Sequence, residues 1–183
     1  SMARLGEPAA PLHPEAPTPA TWLLDPWIPA GDTSILYGDG GSAKSLLALA
    51  LSLASLTGEP LARSERWRIA SVPAVLYLDW ESRREDHATR LWGLSRMHGH
   101  GEAPAGLYYR PMARALTESL PAIRRDVAEL GVGLVVVDSL GAACGAEPES
   151  ADAAVRTLNA LRTFDPATRL VIAHVSKAAS EMD

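Results

Sequence analysis

The stretch Ser34-Ile35-Leu36-Tyr37-Gly38-Asp39-Gly40-Gly41-Ser42-Ala43-Lys44-Ser45 decides the fold of this 183-residue chain. It begins as a short strand-like run, passes through a glycine-rich turn and opens a leucine-rich segment. That segment has an apolar face at helical spacing, and Gly58 is placed to end the helix. A strand, a glycine-rich turn, Lys-Ser and a helix, in that order, form the context that a phosphate-binding loop requires.

The turn has the properties needed to hold a nucleoside triphosphate. Backbone N–H groups, the positive end of the helix dipole and one lysine together offset several phosphate charges, and glycines let the backbone approach closely. We expect Lys44 to reach the β- and γ-phosphates of ATP and the Ser45 hydroxyl to ligate Mg²⁺. The segment, called the phosphate loop below, comprises Gly38, Asp39, Gly40, Gly41, Ser42, Ala43, Lys44 and Ser45.

Ala43 departs from the usual pattern, which has glycine at this position. The added methyl group should be tolerated if Ala43 has a negative φ, although the loop could then close less tightly. The competing interpretation is that the whole segment is only a strand-to-helix turn, and the Lys-Ser pair at the start of the helix argues against it.

Further apolar runs alternate with helical patterns along the rest of the chain. The strand-like runs are residues 34–37, 74–79, 107–110, 134–138 and 170–174. Ser82 has capping-box spacing to Glu85 before a second helix, Gly131 stops a third, and Ser150 is a suitable N-cap for a fourth. This order predicts a doubly wound α/β fold with a mostly parallel central sheet and helices on both faces.

Composition limits the class of protein. Residues 1–20 are rich in proline and alanine and predict a flexible arm, which leaves residues 21–183 as one domain. The sequence has no apolar run long enough for a membrane span, a single cysteine and no secretory signal, so we expect a cytoplasmic protein. Its net charge of −5 provides no general attraction for nucleic acid.

Three residues at strand ends complete a candidate hydrolytic site. Asp138 ends the run 134–138 and would hold Mg²⁺ through water; otherwise it caps a strand end. Glu81 follows the run 74–79, where it can polarise a water for attack on the γ-phosphate, with favourable placement near a helix N-terminus as the alternative. Asp79 lies deeper and is the less suitable base. His174 ends the last run and could sense the γ-phosphate or serve only as a structural residue.

These elements together resemble the RecA-like P-loop ATPases, specifically the DnaB and RepA branch of hexameric replicative helicases. The resemblance begins near Trp22 and runs to the C-terminus. It implies Glu81 as catalytic glutamate, Asp138-Ser139 as the Walker B end and His174 in the third motif. It also implies the sheet order 3-2-4-5-1, a homohexamer with ATP between subunits, and single-stranded DNA as a partner.

The resemblance also implies parts that the sequence does not supply. The arginine finger and DNA-contacting loops of this family lie beyond its last core strand, whereas this chain stops nine residues after His174. We therefore expect this sequence to lack the C-terminal strands of such a domain. Lys177 could act on a neighbouring subunit, although a solvated lysine is the simpler interpretation.

Two other functions fit a P-loop. An ATP-switched assembly protein would bind nucleotide and oligomerise without any DNA role. A small-molecule kinase is less well supported, because no arginine-rich lid segment is evident. Trp22 and Trp27 could stack on adenine or simply pack. His98 and His100 have no evident cysteine or carboxylate partner, so no metal site is expected there.

Overall fold

Five parallel strands form the central sheet of the chain. The computed structural model describes residues 11, 19–61, 64, 66–145 and 151–174. Its central strands are β3 (Thr33–Gly38), β4 (Val75–Asp79), β5 (Leu107–Pro111), β6 (Leu134–Asp138) and β7 (Thr168–His174). All five correspond to strand-like runs in the sequence, so the predicted parallel sheet is confirmed.

The strands lie in the order β3-β7-β6-β4-β5. If the five central strands are numbered 1 to 5 along the chain, the order read from the β5 edge is 3-2-4-5-1. This is the order that the resemblance implied. Gly38 pairs with His174, and Asp79 pairs with Asp138. The carboxyl ends of strands β3, β7, β6 and β4 therefore meet at one edge of the sheet, where α/β proteins place their ligands.

Helices cover both faces of the sheet, as predicted. The helices are α1 (Lys44–Thr57), α2 (Arg84–Met97), α3 (Leu116–Glu129), α4 (Leu140–Ala143) and α5 (Ala151–Leu161). Side chains alternate between the faces along each strand: Val75 and Tyr77 belong to the core shared with α1, whereas Leu76 and Leu78 belong to the core shared with α3 and α5. This burial on both faces explains why the strands read as continuous apolar runs.

The predicted start of α2 is wrong. Ser82 was expected to cap this helix, but α2 begins at Arg84, and its N-cap residue Arg83 makes no side-chain capping bond. The Ser82 N–H instead donates to Asp79 Oδ1 over 3.1 Å. A local hydrogen bond to the buried carboxylate three residues earlier is thus formed here instead of the capping-box pattern.

A small hairpin precedes the central sheet and was not predicted. Strands β1 (Trp22–Leu24) and β2 (Ile28–Pro29) pair in antiparallel fashion. Elements this short show no periodicity in a sequence. Trp27 is largely exposed and packs against Trp67, with the ring centroids 5.8 Å apart. This contact agrees with the packing interpretation for Trp27.

Some expectations fall on residues outside the described part. Most of the N-terminal arm, the Ser150 cap and Lys177 lie outside the described residues. Among the described helices, none has both the length and the apolar character needed to cross a membrane.

Candidate active site

The phosphate loop connects the end of β3 to the start of α1. Gly38 ends the strand, Lys44 and Ser45 open the helix, and the residues between them are mostly exposed. Ala43 has φ 61° and ψ 22° and precedes the first helical residue. The negative φ under which the methyl group was expected to be tolerated is therefore not found. The turn needs a left-handed residue here, which is why glycine is usual at this position.

Lys44 is buried and folded back over the loop. Its Nζ donates to the carbonyl oxygens of Gly38 at 2.8 Å and Asp39 at 2.5 Å, and to Ser42 Oγ at 3.2 Å. The Ser42 hydroxyl in turn donates to Asp39 O over 2.7 Å. The ammonium group is thus held at the centre of the loop, within reach of a phosphate that enters it.

Asp138 lies buried at the end of β6. Its Oδ2 accepts a hydrogen bond from the Tyr77 hydroxyl at 2.8 Å. Its Oδ1 is buried and, within the described residues, has no hydrogen-bond partner. Burial raises the pKa of Asp138 above its ordinary value, and hydrogen bonds from the Ser45 and Tyr77 hydroxyls offset this increase only in part. An unpaired carboxylate oxygen near the Ser45 hydroxyl is a donor set that suits hydrated Mg²⁺, because this ion prefers oxygen ligands.

Glu81 lies where the ends of β4, β6 and β7 converge. Its Oε1 accepts a short hydrogen bond from the Ser139 hydroxyl. Its Oε2 lies 3.6 Å from His174 Nε2, and both side chains are partly exposed. The structure therefore brings together two of the predicted site residues and the hydroxyl that follows Asp138. Because Glu81 lies three residues before the start of α2, the first helical turn does not contain it.

Asp79 is fully committed to hydrogen bonds. Oδ1 accepts from the backbone N–H groups of Glu81 and Ser82 at 2.9 and 3.1 Å. Oδ2 pairs with His87 Nε2 at 2.8 Å and Tyr109 OH at 3.0 Å. Burial raises the pKa of Asp79, but these hydrogen bonds outweigh it and hold the pKa below its ordinary value. A carboxylate occupied in this way is poorly placed to act as a base.

The sequence analysis missed three of the four side chains that support this region, and it named the fourth, Ser139, only as the residue that follows Asp138. Tyr77, His87, Tyr109 and Ser139 all contact one of the acidic residues. Only Ser139 had a signal, since a small hydroxyl residue directly follows Asp138. The aromatic residues read as ordinary members of apolar strands, and His87 lies on a polar helix whose pairing with β4 no local pattern reveals.

The expectation that His98 and His100 lack a carboxylate partner is wrong. Glu59 Oε2 lies 3.9 Å from His98 Nδ1 and 3.4 Å from His100 Nε2. Glu59 follows α1 in the chain, whereas both histidines follow α2, so sequence distance concealed the contact. His100 Nε2 makes no hydrogen bond within the described residues, so it lies near Glu59 without being bonded to it.

Comparison with protein families agrees with this geometry. A family model described as "AAA domain" matches residues 7–180, which is nearly the whole chain. No curated protein matches the chain significantly. A phosphate loop at the carboxyl edge of a five-stranded parallel sheet is the arrangement of a RecA-like P-loop nucleotide-binding domain.

Proposed function

We propose that this chain, which belongs to the AAA domain family of P-loop ATPases, hydrolyses ATP with Glu81 as the general base. One observation supports the proposal above all others: Ser139 and His174 both contact the Glu81 carboxylate at the edge of the sheet that carries the phosphate loop. A base must lie close to the phosphate and be held in one orientation, and the Ser139 hydroxyl supplies that orientation.

Each residue of the proposed site has a separate role. Lys44 exchanges the loop carbonyl oxygens for phosphate oxygens when ATP binds. Ser45 and Asp138 would hold Mg²⁺, which offsets charge on the phosphates when bound. Glu81 accepts a proton from the attacking water, and the Ser139 hydroxyl keeps one carboxylate oxygen fixed. His174 lies beside Glu81 at the end of β7, where it can respond to the loss of the γ-phosphate.

Replacing Glu81 with glutamine tests the catalytic role. Glu81→Gln keeps the size and the hydrogen bond of the side chain but removes its basicity, so we expect kcat to fall by roughly 10²- to 10⁴-fold while ATP affinity persists. Turnover is measured by phosphate release and affinity by fluorescent-nucleotide titration. Glu118→Gln, an exposed carboxylate on α3, is the matched control. Parent-level turnover in Glu81→Gln would show that the assignment is wrong.

Lys44→Ala tests the binding role separately. Removing the only ammonium group in the phosphate loop should abolish detectable ATP binding, because no other side chain of the loop carries a positive charge. If Lys44→Ala binds ATP with the affinity of the parent protein, the phosphate loop is not the nucleotide site.

We further propose that hydrolysis drives a DNA helicase or helicase-related motor of the DnaB and RepA type. The strand order and the histidine at the end of β7 support this assignment. The test is the ATPase rate with and without single-stranded DNA, followed by a strand-displacement assay. Stimulation of the rate by DNA supports the motor, and an unchanged rate contradicts it.

An ATP-switched assembly protein is the second candidate. The net charge of −5 favours it, because a protein without a general positive potential attracts the phosphate backbone weakly. This candidate predicts slow hydrolysis, oligomerisation on binding ATP and no response to DNA.

A further inference from the structure

The β4–α2 turn, which carries Glu81, is held by a buried carboxylate rather than by the start of the helix. The side chain of Asp79 is 0% exposed. Among the described residues, His87 is the one basic side chain within ion-pair distance of it. A buried carboxylate is costly unless hydrogen bonds replace its hydration. Asp79 receives four, and two of them come from the backbone of the turn itself.

We propose that Asp79 and His87 are positioning residues that fix the orientation of Glu81 for hydrolysis. This inference rests on the proposed catalytic role of Glu81. Asp79 Oδ1 bonds the N–H of Glu81 and of the next residue, which fixes the backbone direction from which the glutamate side chain leaves. The other oxygen of Asp79 is anchored by His87, so the pair connects helix α2 to the base.

The histidine is itself held firmly. Its ring lies between Tyr77 and Tyr109, with centroid separations of 4.7 and 5.5 Å. Because Asp79 Oδ2 accepts the bond, His87 Nε2 must carry the proton. Tyr109 OH approaches both Asp79 Oδ2 and Ser82 O, at 3.0 and 3.1 Å, and so joins the carboxylate to the far side of the turn.

The same aromatic residues connect this network to the other carboxylate of the site. Tyr77 contacts the His87 ring through its own ring and donates its hydroxyl to Asp138. Beside it, Trp80 N donates to Asp138 O at 2.9 Å. The turn that carries Glu81 and the end of β6 are thus held in register by buried hydrogen bonds, and a shift of α2 would move the base.

Truncation of His87 tests the proposal, with a rescue variant as its partner. His87→Ala removes the donor and should lower kcat roughly tenfold to a hundredfold, because small misplacements of a base cost rates of that order. We expect the Kd for ATP to change less than about threefold, since the phosphate loop is untouched. His87→Gln restores an amide donor at a similar reach and should recover most of the rate. Thr89→Ala, an exposed position on the same helix, is the control.

A double-variant comparison separates positioning from general weakening of the fold. If His87 acts through Glu81, His87→Ala should produce no further loss of rate in the Glu81→Gln background. An equal loss in both backgrounds would overturn the proposal. Where His87→Ala does not fold, Tyr109→Phe removes a single hydroxyl and is measured in the same way. Parent-level kcat in both Asp79→Asn and Tyr109→Phe would also overturn it.

The failure of this proposal differs from the failure of the proposed function. A large loss of kcat in Glu81→Gln, together with parent rates in the His87 and Asp79 variants, overturns the positioning role alone. Parent rates in Glu81→Gln overturn the catalytic assignment on which both proposals depend.

Discussion

Ala43 adopts a backbone conformation that costs an alanine free energy but costs a glycine almost none. Its φ of 61° places the methyl group close to the following carbonyl oxygen, at a cost of roughly 1–2 kcal/mol. The turn from β3 into α1 imposes this conformation on the residue directly before the helix. Gly41, with φ 75°, meets a similar requirement without the cost.

Replacing Ala43 with glycine should therefore stabilise the protein. The relief of strain exceeds the extra entropy that glycine has in the unfolded chain, which leaves a net gain of about 0.5–1 kcal/mol. For a chain of this size, the melting temperature should rise by about 1–4 °C, measured by calorimetry without nucleotide. A lower melting temperature in Ala43→Gly would contradict the left-handed conformation.

Asp79 and Asp138 pair in register on neighbouring strands, yet their environments differ. Asp79 receives four hydrogen bonds, whereas one oxygen of Asp138 has none within the described residues. The first carboxylate is therefore used for architecture, and the second retains an oxygen that is available to a ligand. This contrast is the reason for assigning the metal role to Asp138 and the positioning role to Asp79.

At the level of elements, helix α1 ends as the sequence predicts. Gly58 has φ 71°, and its N–H donates to Ala54 O over 2.8 Å. The phosphate loop needs this helix at a fixed angle, because its N-terminus forms one wall of the nucleotide site. Glycine at the C-terminus closes the helix without steric cost and lets the chain leave towards residue 59.

Gly58→Ala should destabilise the protein by about 1 kcal/mol, because the left-handed conformation is sterically strained for alanine. The free energy of unfolding in urea is the measurement. Gly93→Ala in α2 is the control with the opposite sign: no atom lies within 4 Å of the added Cβ, so better helix propensity should stabilise by roughly 0.5–1 kcal/mol. Equal effects in the two variants would contradict this account of α1.

At the level of the whole molecule, the site exists because separate strand ends meet. Glu81 and Ser139 follow β4 and β6, His174 ends β7, and only the strand order places them together. The same order joins Asp79 to Asp138 across the β4–β6 pair. Acidic groups thus accumulate at the edge of the sheet from which the phosphate loop also leaves.

This distribution of carboxylates predicts how acid affects stability. The folded-state pKa of Asp79 lies below its usual value of 3.8, so its contribution to stability is present above that value and is lost as pH falls through the folded-state pKa. Burial raises the folded-state pKa of Asp138, so Asp138 has the opposite effect. The stability that its neutral form contributes is present at low pH and is lost as pH rises through the folded-state pKa.

Urea unfolding of Asp79→Asn and the parent protein, from about pH 7 to about pH 3, checks the sign. The stability difference between them should shrink as pH falls, because protonation of Asp79 in the parent removes the charge that the variant lacks. A difference that stays constant over this range would contradict the lowered pKa of Asp79.

We also predict that ATP promotes self-association of the chain. Residues from a neighbouring subunit would complete the site if the protein forms the ring that its resemblance to hexameric helicases implies. Light scattering after size-exclusion chromatography, with Glu81→Gln to prevent turnover, should show a larger mass with ATP and Mg²⁺ than without. An unchanged monomer mass would contradict the prediction.

The sequence by itself determined the order of the five central strands and the four long helices, the phosphate loop and the residues at the strand ends. Those features depend on local periodicity and on short motifs whose chemistry is complete within a few residues. It gave the wrong start for α2 because Ser82 belongs to the turn that its N–H closes onto Asp79, and the helix begins two residues later at Arg84.

Only the tertiary structure decided which side chains support the acidic residues. His87 and Tyr109 reach Asp79 from a helix and a neighbouring strand, and Glu59 reaches His98 and His100 from the end of another helix. Such contacts join residues on different elements of the fold, and their energies depend on burial that no local pattern encodes. The left-handed φ of Ala43 has the same origin, because the packing of α1 against the sheet fixes the turn that precedes it.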